Sequence, residues 1–80
     1  MPFITVRTVK GALNEEEKER IKEQITNTMV EVEGGGNPDF RQHVWVLIEE
    51  VEAANWSIGG MTPTVEMIQA IKQAAPASSE

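Results

Sequence analysis

Met1-Pro2-Phe3-Ile4-Thr5-Val6-Arg7-Thr8-Val9 opens the chain with a proline directly behind a methionine, followed by an alternating strand. Successive strand side chains point to opposite faces, so Ile4, Val6 and Thr8 share one face and Phe3, Thr5, Arg7 and Val9 the other. Proline has no amide hydrogen and suits a strand start, where no ladder donor is required. It also carries a chemical option. Removal of Met1 would turn Pro2 into a secondary amine on a rigid ring, a base or nucleophile that needs no other side chain. An ordinary α-amino group titrates at about 7.7–8.0. A ring amine starts higher, and an apolar pocket or neighbouring cations bring it toward neutrality. Position alone leaves both readings open, strand start and catalytic amine.

Outward from this strand, Gly11 ends the first element, and Asn14 followed by Glu17 gives an Asn-led capping box. Ile21, Ile25, Thr28, Met29 and Val32 recur at helical spacing, and Gly34-Gly35-Gly36-Asn37-Pro38 stops the run, which predicts a helix over 14–33. A second strand is expected over 43–49, with Val44, Val46 and Ile48 on one face and His43, Trp45, Leu47 and Glu49 on the other. Strand, helix, strand reads as an α/β fold, a βαβ unit of parallel strands with a right-handed crossover. One helix covers one sheet face, so Phe3, Val9, Trp45 and Leu47 are expected to need another chain. A two-stranded sheet alone is marginal. Asn55-Trp56-Ser57-Ile58-Gly59-Gly60 suggests a short hairpin or arm. Thr62-Pro63 reads as an N-cap and first helical residue, with Val65, Ile68 and Ile71 spaced for a short helix over 63–74. Residues 75–80 read as a frayed tail. The whole of 1–80 is expected to be one domain, without internal repeats.

Composition narrows the function. Eighty residues lie near the lower limit for a self-sufficient core. There is no cysteine, which excludes disulfides and thiolate metal sites, and His43 is the sole histidine, so no clustered-ligand metal motif can be read. Extra buried surface is therefore expected from oligomerisation. The net charge of −6, with Glu15, Glu16, Glu17, Glu19 and Glu23 close together, makes nucleic acid and anionic membrane poor partners. No apolar run approaches the roughly 20 residues that span a bilayer, and no signal-peptide pattern precedes the strand. A cytoplasmic location is the expectation.

Taken together, Met-Pro, the strand over 3–9, Gly11, the acidic-capped helix, the valine-rich strand ending in Glu49-Glu50, and Asn-Trp-Ser-Ile-Gly-Gly resemble the 4-oxalocrotonate tautomerase superfamily across residues 2–60. The small subunit of trans-3-chloroacrylic acid dehalogenase is similar too, in its Pro-Phe-Ile start and its Ser-Ile segment. On this reading 61–74 is an extra C-terminal helix. The resemblance implies a cofactor-independent enzyme, a trimer of dimers with sheets inside and helices outside, and active sites between subunits. Pro2 matches the family's catalytic proline, which moves a proton between carbon and an enol oxygen in the tautomerases and serves as an acid in the hydratases and dehalogenases. Trp56 falls where an aromatic residue packs over substrate, an assignment that simple interface packing would equally explain. Ile58 falls where a backbone amide lies close to ligand.

The departures matter as much. Two arginines that clamp a dicarboxylate in the tautomerase are missing, with Ala12 at the first position and Trp45 at the second. Loss of both bidentate contacts argues against 4-oxalocrotonate as a good substrate. Arg7, Lys10 and Arg41 are the candidate replacements, each of which a surface or interface role also explains. An unpaired Arg7 at an apolar interface would be costly, so an anionic partner is expected. His43 reads as a packing residue at the strand start, and Glu49, Glu50 and Glu52 as a solvated or intersubunit charge cluster that could alternatively activate water. The leading expectation is a tautomerase acting on a small 2-oxo or enol acid, with Pro2 as general base and Arg7, Lys10, Trp45, Trp56 and Ile58 about the substrate, and with no metal or cofactor. The alternatives are a hydratase or dehalogenase of an unsaturated acid, or a catalytically silent subunit of a hetero-oligomer. A homo-hexamer is the expected assembly.

Overall fold

Two backbone hydrogen bonds fix the register of the sheet in the computed structural model, which describes residues 1–74. The Trp45 N–H donates to the Pro2 carbonyl at 3.0 Å, and the Lys10 N–H donates to the Val51 carbonyl at 2.9 Å. Numbers rise together along the strands β1 (Phe3–Val9) and β2 (Trp45–Val51), so the two-stranded sheet is parallel. In a parallel ladder these bonds set residue 44 opposite residue 2 and residue 52 opposite residue 10, an offset of 42 at both ends. Phe3 therefore faces Trp45, Thr5 faces Leu47, Arg7 faces Glu49 and Val9 faces Val51. Ile4 with Val46 and Val6 with Ile48 occupy the other side. Burial follows this alternation: Ile4, Val6, Thr8, Val46 and Ile48 are half-buried, while Phe3, Thr5, Arg7, Trp45 and Leu47 are exposed.

The connection between the strands is the helix α1 (Glu15–Val32). Its capping box forms as the sequence dictates: Asn14 Oδ1 accepts from the Glu17 N–H at 2.8 Å, and Glu17 Oε1 accepts from the Asn14 N–H at 2.9 Å. The covered side of α1 carries Ile21, Ile25, Met29 and the buried Val30, and it does not run through Thr28 and Val32 as the spacing suggested. Val32 is 73% exposed, and the Thr28 hydroxyl donates back to the Gln24 carbonyl. A 3-10 turn, Pro38–His43, then delays the second strand, which begins at Trp45 instead of at 43. Asn37 caps this turn through the Asp39 N–H, and the Phe40 and His43 rings meet edge to face at 6.1 Å. The backbone at Gly34 comes so near Phe40 that an added Cβ would lie 2.6 Å from its ring.

Two compact units divide the described residues, 1–7 with 13–49, and 8–12 with 50–74. In the second, Trp56 Nε1 donates to the Val51 carbonyl at 3.2 Å. A tight hairpin follows, with Ile58 and Met61 exchanging backbone hydrogen bonds of 2.7 and 3.1 Å. Gly59 and Gly60 both have positive φ, which a two-residue hairpin turn of this hand requires. The helix α2 (Val65–Gln73) starts after Thr64, whose hydroxyl accepts from the Met67 N–H at 3.1 Å. The cap is thus two residues later than the Thr62-Pro63 expectation, and Pro63 is buried. Lys72 Nζ and Gln69 Nε2 of α2 reach the Ala12 carbonyl at 3.1 and 3.4 Å, and a Cβ on Gly11 would meet Val65 at 3.3 Å. The chain covers this strand end itself. Val9 is only 6% exposed, so it needs no second chain, whereas Phe3 (63%), Trp45 (61%) and Leu47 (44%) remain uncovered. Among the described residues the buried apolar core is Val9, Ala12 and Val30. The expected tail at 75–80 lies outside the described residues.

Candidate active site

Pro2 takes part in the sheet through its carbonyl alone, which accepts from the Trp45 N–H. That rung pins the residue immediately before β1 while its ring nitrogen, having no hydrogen, is left out of the ladder. Pro2, Met1, Phe3 and Trp45 line an open hollow of about 220 Å³ whose walls are almost wholly apolar. Register opposes the rings of Phe3 and Trp45, with centroids 6.3 Å apart and planes tilted by 55°. Beside the hollow, the Met1 amine lies 3.9 Å from Glu33 Oε2, at the C-terminal cap of α1. A larger hollow of about 410 Å³ is lined by Glu19, Lys22, Glu23, Thr26 and Arg41. Four of its five lining side chains are charged, among them the Lys22–Glu19 pair at 2.8 Å.

The candidate cations are engaged. Arg7 Nε meets Glu49 Oε1 at 2.6 Å across the exposed sheet face, which supplies the anionic partner that an arginine there requires. Only Nε is used, so among the described residues the terminal guanidinium nitrogens keep their donors. Lys10 Nζ pairs with Glu52 at 3.3 Å, and Arg41 Nη2 donates to Asn27 Oδ1 at 2.7 Å. Glu49 and Glu52, read as part of a charge cluster, thus pair with Arg7 and Lys10. Trp56 has its indole N–H committed to Val51, and the Ile58 amide is donated to Met61, so that amide is not free to meet a ligand. The Ile58 side chain is 57% exposed. The structure thus gathers Pro2 and Trp45 in one hollow, sets Arg7 on the same exposed face as Trp45, and gives Lys10 a separate partner. Sequence reasoning overlooked Glu33 near the terminal amine and the convergence of Lys72 and Gln69 on Ala12, which no spacing along the chain signals. Among the described residues, no three histidine or carboxylate side chains converge as a metal site, and no helix is long and apolar enough to cross a membrane.

Known proteins share this fold. The family model described as tautomerase enzyme matches residues 2–66, beginning at Pro2 itself. Probable tautomerase K2 of Dickeya dadantii (strain 3937) is 36% identical over 70 residues, covering 88% of this chain and 98% of that protein. The crystal structure of DmpI from Helicobacter pylori superposes with a TM-score of 0.62 at 25% identity, covering 92% of this chain and all of that one.

Proposed function

The chain belongs to the tautomerase family, and we propose that it interconverts the enol and keto forms of a small 2-oxo acid, with the free amine of Pro2 as general base. Removal of Met1 is the first requirement, because an acylated proline nitrogen has no basic lone pair. The amine then takes the enol hydroxyl proton as the carbonyl forms. The electrons of the carbon–carbon double bond move to the adjacent carbon, which accepts the proton back from the ring ammonium. No cofactor enters the cycle. The observation that carries this reading is the family match that starts at Pro2, together with the apolar hollow that Pro2 lines.

The acid group needs a cation, both for binding and for holding the amine's pKa down. We assign it to Arg7, whose guanidinium Glu49 orients through Nε and whose remaining donors can grip a carboxylate in two-point fashion. Arg7 lies five residues along β1 from Pro2, about 16–17 Å on an extended strand, so it serves the site of a neighbouring copy. From neighbouring copies, Trp56 covers the substrate and Lys10 adds positive potential beyond its pairing with Glu52. Assembly is part of the same proposal. Among the described residues the buried apolar core is thin, and the uncovered face of Phe3, Trp45 and Leu47 is the surface on which copies pack, as a homo-hexamer in the cytoplasm. The test is ketonisation of a 2-oxo acid enol, followed by the loss of its ultraviolet absorbance. Processed protein should accelerate it, and Pro2→Ala should lose most of the rate, since a flexible primary amine lacks the ring's fixed direction. Equal rates for parent and variant would remove Pro2 from the mechanism.

A further inference from the structure

We propose that Glu33 is a positioning residue for the proton transfer: once Met1 is removed, its carboxylate holds the Pro2 ring ammonium between taking the proton and giving it back. The inference rests on the proline-amine reading of the same site. In the unprocessed chain Glu33 Oε2 lies 3.9 Å from the terminal amine. Removing Met1 moves that positive charge by one residue, at most about 3.6 Å along the chain. The Pro2 backbone is pinned meanwhile, because its carbonyl accepts from the Trp45 N–H. The new ammonium therefore forms within about 7–8 Å of the carboxylate as it stands. That lies inside the roughly 8–10 Å over which charges act at physiological salt. The Glu33 side chain is 45% exposed, so rotation about its own bonds has room to shorten the gap.

A second observation points the same way. Glu33 is the C-cap of α1, whose last turn holds Glu31 and no basic residue. Negative side chains at a helix C-terminus oppose the helix dipole, and a cation there is favoured. The terminal amine is the cation that the fold brings to this end. The other ionisable groups on the elements that meet here are Arg7 on β1, and Asp39, Arg41 and His43 on the 3-10 turn before β2. Arg7 pairs with Glu49, Arg41 donates to Asn27, and the His43 ring packs against Phe40. Among the described residues, the ion pair of the terminal amine is with Glu33. In the proposed cycle the amine becomes an ammonium on taking the enol hydroxyl proton and a neutral amine on giving a proton to carbon. Glu33 stabilises the charged member of this pair without exchanging a proton itself. It raises the pKa of the amine, against the Arg7 cation that lowers it.

The experiment has a spectroscopic arm and a kinetic arm. Processed parent, Glu33→Gln, Glu33→Asp and Glu31→Gln are made with 15N-labelled proline, and the Pro2 nitrogen, identified by its absence in Pro2→Ala, is titrated by NMR. Its midpoint should fall by about 0.3–0.7 pH unit in Glu33→Gln, the size of one partly exposed ion pair. Glu33→Asp keeps the charge and should recover most of that shift, and about 1 M salt should shrink it. The ascending limb of kcat/KM against pH should move down with the midpoint, since the free amine is the base. The urea midpoint of Glu33→Gln should not fall, because the helix end loses an unfavourable charge. An unchanged or raised Pro2 midpoint in Glu33→Gln, an equal shift in Glu31→Gln, or no recovery in Glu33→Asp overturns the proposal. The NMR midpoint is read without turnover. A lowered midpoint with equal rates for parent and Pro2→Ala keeps the Glu33 contact and removes the proline mechanism, whereas an unmoved midpoint with an inactive Pro2→Ala removes Glu33 alone.

Discussion

Replacing Arg7 with alanine separates a structural ion pair from a substrate contact, because the two roles differ in size. Arg7 and Glu49 sit directly opposite each other in the sheet, with side chains 69% and 41% exposed. Pairs this open to solvent contribute about 0.2–1 kcal/mol at most, and screening pushes the value toward the low end. Loss of the pair should therefore shift the denaturation midpoint only slightly. A carboxylate gripped by the guanidinium in the transition state is worth about 1.5–3 kcal/mol, or roughly ten- to hundredfold in kcat/KM. Arg7→Ala should show that loss with an enol acid and little loss with an uncharged enol of similar size. Glu49→Gln keeps the arginine but loosens its orientation, so it should give a smaller loss on the acid substrate alone. The assay is steady-state ketonisation of both substrates by each variant, with urea unfolding and size-exclusion elution measured alongside. Equal losses on charged and uncharged substrates with the assembly intact, or a destabilisation beyond about 2 kcal/mol, would refute the assignment and make Arg7 a strand-pairing residue.

Other consequences are as direct. Leu47→Arg places a charge on the face proposed to pack between copies, at a cost on the order of several kcal/mol when buried unpaired; the variant should elute as a smaller species or fail to fold, and an unchanged elution volume would mean the face is not an interface. Gly34→Ala would drive a methyl group to within 2.6 Å of the Phe40 ring, and overpacking of this kind costs about 1–3 kcal/mol, readable as a lowered urea midpoint. Asn14→Ala removes one of the two capping-box hydrogen bonds and should lower stability by about 1 kcal/mol with kcat unchanged.

The parts of the fold that short-range chemistry decides were legible in the chain. β1 falls on Phe3–Val9 because a period of two runs uninterrupted there, and α1 starts after Asn14 because Asn14 and Glu17 can each satisfy the other's backbone. The errors arose where two local signals competed. Thr62-Pro63 and Thr64 both offer a cap, and the later hydroxyl reaches the Met67 amide. Residues 43 and 44 continue the strand alternation, yet the Asn37-capped turn holds His43 against Phe40. Long-range facts were out of reach. The offset of 42 between the strands is set by the fold, so Glu49 could not be matched to Arg7 from spacing, nor could Lys72 and Gln69 of α2 be placed on Ala12. Val9 is buried although the strand alternation groups it with the exposed Phe3, Thr5 and Arg7. Pro2 was visible as a candidate because its chemistry depends on its position in the sequence, whereas the hollow it lines depends on Trp45 arriving from a strand more than forty residues away.

The availability of the Pro2 amine is the claim on which the rest depends, and one paired measurement tests it. Tag-free protein is divided by intact mass into a form lacking Met1 and a form retaining it, and ketonisation of one enol acid is timed with equal amounts of each. The processed form should carry essentially all of the activity and lose it when the proline nitrogen is alkylated. Equal activity in the Met1-retaining form would contradict the mechanism, because its proline nitrogen is an amide with no proton to give or take.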